Sequence, residues 1–127
     1  MKRVLKIGAS ILLVLILISG VFLYYFSRGL NDDITLSGID ITDVNDGVYA
    51  GRYEGGRWSN ELNITVADNK ITDIEVVEDI MLSQDEVRNT LFDRVIESQN
   101  TKVDTVSQAT VTSRAYLKSI ENALNEN

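Results

Sequence analysis

The residues that could do chemistry in this 127-residue chain are hydroxyls, arginines and aromatics, because it contains no cysteine and no histidine. This composition excludes disulfides, thiolate ligands, haem attachment and any nucleophile that depends on a histidine base. Zinc is not expected either, since carboxylates alone rarely hold it. The acidic stretch 43–54 fails the calcium-loop pattern, because Gly47 stands where a ligand is needed. Any redox or transfer chemistry must therefore depend on a bound organic cofactor.

One candidate cluster is the glycine-rich, aromatic and basic stretch 52–58 (RYEGGRW). Indole and phenol faces stack well on a planar ligand ring, and arginine neutralises phosphate. A loop between strands, with Trp58 folded over the core, explains the same residues. For Trp58 we favour the core, since large aromatic side chains are usually well buried.

A second candidate cluster is the hydroxyl-rich stretch 104–113 (DTVSQATVTS). A threonine hydroxyl is a poor nucleophile unless another group or enzyme activates it. Taken alone, this stretch also fits a turn before a helix, with Thr112 or Ser113 as the N-cap. Asp104 alone is more often a turn former than a contact residue.

Three segments that could position these clusters have strand patterns. Residues 47–53 are rich in strand formers, residues 62–66 alternate strictly between apolar and polar, and residues 71–77 form a returning strand. The Asp68-Asn69-Lys70 stretch predicts the turn of a hairpin, because Asp and Asn tolerate a left-handed backbone.

Two helices are expected after the strands. Ser83 and Glu86 have the spacing of a capping box, which predicts an amphipathic helix over residues 84–98. A last helix is expected to open near Thr112–Ser113. Its apolar face carries Leu117, Ile120 and Leu124. Strands followed by helices predict an α+β domain in which two helices pack on an antiparallel sheet.

The N-terminal region has the pattern of a membrane anchor. Residues 7–26 carry no charge, and 20 such residues are enough for a helix to cross about 30 Å of hydrocarbon. Positive charges at residues 2–6 precede this span, which places the N-terminus in the cytoplasm and the rest outside the cell membrane. A cleaved signal peptide is the alternative, although residues 18–20 (ISG) make a poor cleavage site. Either way the C-terminal domain is exported.

The charge distribution divides the chain into an anchor at residues 1–28, an acidic tether at 29–45 and a domain at 46–127. Residues 31–127 carry 8 basic and 19 acidic side chains, a net charge of −11. A domain of that charge is repelled by phosphate backbones, so nucleic acid is not an expected partner. The tether shows a weak alternation that could give an edge strand.

Three stretches in order resemble the FMN-binding domain family. They are the opening residues 46–51 (DGVYAG), the hairpin 62–77, and residues 96–113 (IESQNTKVDTVSQATVTS). The last is similar to the family pattern V-D-x-V-S-G-A-T-x-T-S ahead of a C-terminal helix. The family includes flavin subunits of sodium-pumping quinone reductases and Rnf complexes, and small membrane-anchored surface flavoproteins.

The resemblance implies FMN as cofactor, joined by a flavin transferase through a phosphoester to the threonine that ends S-G-A-T. That residue is Thr110 here. The resemblance also assigns Asp104, Ser107, Gln108, Ala109 and Thr112 to the cofactor and recognition motif. Gln108 stands where the family has glycine, a residue suited to positive φ or close backbone approach.

The function implied is an electron carrier, not a stand-alone enzyme, with the bilayer, the transferase and membrane or surface redox partners around it. Two other functions stay open. The domain could lack flavin and act as a surface binding module, which Gln108 favours, or it could hold flavin reversibly. No nucleophile paired with a base is evident, so hydrolysis is not expected.

Overall fold

The computed structural model of the protein describes residues 1–27 and 34–125. Helix α1 (Lys2–Ser27) contains a candidate membrane span, Lys2–Phe26, with a mean hydropathy of 2.6. By length and composition this helix could cross a membrane, which is compatible with a single-pass anchor. Arg28 and the first part of the expected tether, residues 29–33, lie outside the described residues.

The remaining elements form an α+β domain with one layer of strands and one layer of helices, as the sequence predicted. Strands β1 (Gly47–Tyr53), β2 (Asn60–Ala67) and β3 (Lys70–Glu78) form an antiparallel sheet in the order β1-β2-β3. A short 3-10 helix, Gly56–Trp58, links β1 to β2. Helices α2 (Asp85–Ser98) and α3 (Thr110–Asn125) follow the sheet.

The predicted hairpin is confirmed between β2 and β3. Asp68 and Asn69 both have a left-handed backbone, with φ of 53° and 59°, as a tight two-residue hairpin requires. The pairing register shifts next to Val66, at an irregularity of the bulge type. At this irregularity β3 has one residue more than β2. The buried side chains of β3, Ile71 and Ile74, are therefore three residues apart, whereas strict alternation would place them two apart.

Helix α3 forms the centre of the core. Its residues Leu117, Ile120 and Leu124 are 0, 0 and 3% exposed, which confirms the predicted apolar face. The helix lies across β1 and β2 and approaches β1 very closely at Gly51. A Cβ atom at Gly51 would lie 1.9 Å from the carbonyl oxygen of Ser119. Glycine is therefore needed at this position of the opening motif.

Helix α2 was predicted correctly, but its capping box was not. The N-cap residue is Gln84, and its side chain makes no capping hydrogen bond. The Ser83 hydroxyl instead donates a 2.9 Å hydrogen bond to the Asp79 carboxylate. A hydrogen bond to a charged carboxylate is stronger than one between this hydroxyl and a backbone N–H at the helix end. At the other end Gln99, with φ of 57°, caps the helix and bonds to both backbone groups of Ile71 in β3.

Residues 34–44 contact the domain along their length, and they form no strand. Val44 is buried, and four other apolar side chains of the segment pack against the core: Ile34, Leu36, Ile39 and Ile41. The carboxylate of Glu121, only 1% exposed, accepts hydrogen bonds from the backbone N–H groups of Ser37 and Gly38. This part of the expected tether is therefore fastened to α3, and the expected edge strand is absent from residues 34–44.

Candidate functional site

The hydroxyl-rich cluster forms a tight turn that leads directly into α3. The N–H of Ala109 donates a 3.0 Å hydrogen bond to the carbonyl of Val106, which closes the turn around Ser107 and Gln108. Gln108 has φ of 65°, the left-handed conformation that the third position of a type II turn requires and that glycine adopts most easily. The glycine of the family pattern thus corresponds to a positive-φ position here, and Gln108 adopts it.

Thr110 is the first residue of α3, and its side chain is exposed. The N–H of Ser113 donates a 2.8 Å hydrogen bond to the Ala109 carbonyl, the first bond of the helix. The three N–H groups before it, those of residues 110–112, therefore point out of the helix end, as at any helix N-terminus. This end carries a partial positive charge, which favours a phosphate.

The expected N-cap role of Thr112 or Ser113 is wrong, because the helix begins earlier. Thr112 lies in the first turn and is partly buried. Ser113 is fully buried, and its hydroxyl accepts a 3.1 Å hydrogen bond from the N–H of Val106. Ser113 therefore holds the closed turn against α3.

A polar cavity of about 180 Å³ lies beside this turn. Its walls come from three separate parts of the chain: the link after β1, the loop before α2 with the start of that helix, and the turn before α3. The lining residues are Arg57, Leu82, Gln84, Val87, Gln108, Ala109 and Thr112. Three of the predicted site residues, Gln108, Ala109 and Thr112, are therefore brought together in one wall.

Arg57 supplies the positive charge of the cavity. Its guanidinium carbon lies 4.1 Å from the centre of the Trp58 ring and 4.6 Å from that of Phe26, at the end of α1. Its Nε is buried and has no hydrogen-bond partner among residues 1–27 and 34–125. A buried donor without a partner is rare in folded proteins, so an acceptor from a ligand would satisfy it.

The other members of the first cluster do not reach the cavity wall. Trp58 is 3% exposed, which confirms that it belongs to the core. Arg52 forms ion pairs with Glu54 and Glu78 on the sheet surface, which raise the pKa of its guanidinium. Its charge is therefore already neutralised.

Asp79 holds the loop that carries Leu82 and Gln84. Its carboxylate accepts hydrogen bonds from Ser83, from Arg88 at 2.6 Å and from the hydroxyl of the buried Tyr116. Desolvation raises the pKa of the Asp79 carboxyl, but hydrogen bonds, the largest from Tyr116, together lower it more, so it lies below its usual value. Burial, followed by the bond to Asp79, raises the pKa of Tyr116. The loop is therefore fixed by a charged, hydrogen-bonded centre at its base.

Asp104 is separate from the cavity. It lies on an open groove with Arg94, Lys102 and Glu97, and its backbone carbonyl accepts a 2.8 Å hydrogen bond from Arg94. Ser107 is exposed at the tip of the turn, between residues 102–104, which line the groove, and helix α3. The predicted site residues thus fall into three groups. Gln108, Ala109 and Thr112 line the cavity, Thr110 is exposed beside it, and Asp104 and Ser107 are exposed away from it.

Sequence reasoning missed Leu82, Gln84 and Val87. Each precedes or opens α2 and has the pattern of an ordinary loop or helix residue. The positive φ of Leu82, 61°, is a structural signal that no sequence pattern carries, since leucine rarely adopts it.

The arrangement suits a ligand that carries a phosphate and other hydrogen-bonding groups. The cavity offers a guanidinium, two side-chain amides and a hydroxyl, and a helix N-terminus lies next to it. At about 180 Å³ it is smaller than the roughly 300 Å³ or more of an enclosing ligand pocket, so it would hold part of such a ligand.

Comparison with models of known protein families identifies the family. The family model of the FMN-binding domain matches residues 56–125, more than half of the chain. The matched region includes the cavity residues, the turn before α3 and α3 itself. A search against proteins of curated function returns no match.

Proposed function

Because the chain belongs to the FMN-binding domain family, we propose that it is a membrane-anchored flavoprotein that relays electrons outside the cytoplasm. FMN is its cofactor, and we assign its point of attachment to the hydroxyl of Thr110. The observation that carries the assignment is the position of Thr110. It is exposed at the first residue of α3, between two residues that line the cavity, Ala109 and Thr112.

The side chains around Thr110 fit the cofactor. The buried Nε of Arg57 lacks an acceptor among the described residues, and FMN carries phosphate, ribityl and ring oxygens that are acceptors. The amides of Gln84 and Gln108 can both donate and accept, as the polar edge of a flavin ring requires. These three residues would hold the cofactor beside α3.

The helix end also suits the ester. A phosphodiester on Thr110 retains one negative charge, next to the outward-pointing N–H groups of α3. Such a charge at a helix N-terminus is stabilised by about 0.3–1 kcal/mol at an exposed site. In the transferase reaction the Thr110 oxygen would form a bond to the phosphorus of the FMN half of FAD. Its proton would be released, and AMP would leave.

Bound FMN supplies the redox chemistry, since flavins take up and return hydride or electrons. The chain itself has no cysteine and no histidine. The protein's part is to retain and orient the cofactor. An exported carrier that holds its cofactor by a covalent bond does not lose it to the medium. The side chains of Arg57, Gln84 and Gln108 then set the polarity and charge around the flavin ring.

The attachment site is tested by the intact mass of the full chain after co-expression with a flavin transferase. The wild type should gain the mass of one FMN less one water. Thr110→Ala should abolish the gain, because alanine has no hydroxyl, and Thr112→Ala should retain it as the matched control. A gain that survives Thr110→Ala would move the attachment to another residue.

Reversible flavin binding is the second candidate, and Gln108 is the observation that favours it. A side chain at a left-handed position, beside the proposed acceptor, could hinder a transferase that expects glycine. Gln108→Gly should then raise the yield of the adduct. If only Gln108→Gly is flavinylated, the motif is disabled in the natural sequence. Flavin released on denaturation of the wild type would in that case establish reversible binding, and no flavin at all would favour a binding module.

The outside location is supported by the positive charges at residues 2–6, before the span. Protease added to intact cells should digest the domain beyond residue 34 and spare the first residues. Protection of the domain until the cells are opened would place it in the cytoplasm and contradict an extracytoplasmic relay.

A further inference from the structure

The cavity adjoins the outer end of the membrane helix. Phe26 is the last residue of the apolar stretch in α1, and the guanidinium of Arg57 packs over its ring. Arg57 also lines the cavity. One side chain thus contacts both the end of the span and the cofactor site. Tyr24 and Tyr25, immediately before Phe26, are of a residue type that is enriched at the membrane–water interface, so in a membrane-spanning α1 both Phe26 and Arg57 would lie near the lipid headgroups.

An exposed apolar pair lies beside Arg57. Met81 and Leu82 are 50% and 74% exposed. The N–H of Met81 donates a 3.0 Å hydrogen bond to the carbonyl of Arg57, which fixes the pair next to the arginine. Leu82 is held outward at a φ of 61°, a conformation that leucine adopts only when its surroundings impose it. Apolar side chains next to a cation are the composition of a surface that enters a membrane interface.

The chain length keeps this surface near the bilayer. Only six residues, 28–33, separate the last residue of α1 from residue 34, so these ends are at most about 25 Å apart. On the domain side, the next residues are held by α3: Lys118 donates to the Thr35 carbonyl, and Glu121 accepts from Ser37. The domain therefore cannot move far from the membrane without breaking these bonds.

We propose that Arg57, Met81 and Leu82 rest in the interface of the same bilayer that α1 crosses. The cavity that takes FMN then opens at the lipid surface, and a redox partner meets it in or along the membrane. This inference rests on the proposed membrane anchoring, but it does not depend on how flavin is attached. The occupant is the bilayer because the surface is continuous with the end of the span.

Single cysteines provide the test, since the natural chain has none. Met81→Cys and Leu82→Cys are each labelled with a small fluorophore in the full chain, reconstituted into liposomes. Val48→Cys is the control, because Val48 is similarly exposed at 63% but lies at the opposite end of β1 from Arg57. Ile16→Cys marks the middle of the span. Unchanged emission of the buried Trp58 before labelling verifies the fold of each variant.

The liposomes contain nitroxide lipids with the quencher either near the glycerol end or near the methyl end of the acyl chain. Labels at residues 81 and 82 should be quenched, and more strongly by the shallow nitroxide, because an interfacial surface enters only about 5–10 Å. The label at residue 16 should show the opposite order. The label at residue 48 should respond to neither lipid.

Three results would overturn the proposal, and they have different meanings. If residue 16 is quenched while residues 81 and 82 behave like residue 48, the anchor stands and the docking is wrong. If residue 16 is not quenched, the anchoring fails and the docking fails with it. Quenching by iodide added to the water distinguishes a third result: if residues 81 and 82 ignore both lipids but are shielded from iodide, a second copy of the chain covers them, since the liposomes contain no other protein.

Discussion

Glu121 offers a direct test of how segment 34–44 is held against the domain. Its carboxylate is 1% exposed and accepts four hydrogen bonds within the domain. Ser37 donates from its N–H at 3.0 Å and from its hydroxyl at 3.2 Å to one oxygen. Gly38 donates at 3.2 Å, and Thr101 at 2.7 Å, to the other. We consider the isosteric change Glu121→Gln.

The size of the effect follows from the donors. A glutamine keeps one acceptor oxygen and replaces the other by an NH₂ group. The Thr101 hydroxyl can rotate to accept from that group, but the N–H of Gly38 cannot, so one backbone donor loses its partner. An unsatisfied donor of this kind costs about 1–3 kcal/mol. The change should therefore lower the free energy of unfolding by about that amount, a large share of a small domain's stability.

Trp58 makes the measurement simple, because it is the single tryptophan and is buried. Its fluorescence can follow urea unfolding of the full chain in detergent micelles. With an m-value of about 1 kcal/mol/M, the midpoint should fall by about 1–3 M. Hydrogen exchange of a peptide covering residues 34–39 should also become faster, since its N–H groups lose their acceptor. The matched control is Glu97→Gln, an exposed glutamate of α2, which should change stability by less than about 0.5 kcal/mol.

Equal midpoints and equal exchange rates for Glu121→Gln and Glu97→Gln would refute this reasoning. Segment 34–44 would then be held by its apolar contacts alone.

Two further predictions concern the core and the cavity loop. Leu117→Ala should lower the free energy of unfolding by about 2–5 kcal/mol, because the side chain is fully buried against the sheet, and an unchanged urea midpoint would show that α3 is not docked as described. Asp79 should make the domain acid-sensitive: its pKa is lower in the folded state, so its contribution is full above the ordinary Asp pKa of about 3.9 and is lost as the pH falls through the folded-state value. Asp79→Asn should remove that part of the pH dependence, and an unchanged acid-unfolding profile in this variant would contradict the assignment.

The sequence predicts best the parts that depend on neighbouring residues. The hairpin was predictable because Asp68 and Asn69 provide the left-handed turn that joins two alternating strands. The buried face of α3 was predictable from the spacing of Leu117, Ile120 and Leu124. The positive φ of Gln108 follows from the family pattern, since the glycine it replaces commonly serves that conformation.

The parts that were missed depend on contacts between distant residues. The packing of segment 34–44 depends partly on Glu121, which lies 84 residues after Ser37, and no local pattern marks that pair. The capping box failed because the Ser83 hydroxyl has a competing acceptor in Asp79. The cavity was missed because its walls come from three separate segments, of which only residues 108–112 carried a motif.

The most direct test of the account is to locate the flavin on the protein isolated from its native membranes. Trypsin releases residues 103–114, a peptide with five hydroxyl side chains: Thr105, Ser107, Thr110, Thr112 and Ser113. We predict that this peptide carries one FMN less one water and that its fragment ions place the whole added mass on Thr110. An unmodified peptide from cells with an active flavin transferase, or an adduct on any of the other four hydroxyls, would contradict the assignment.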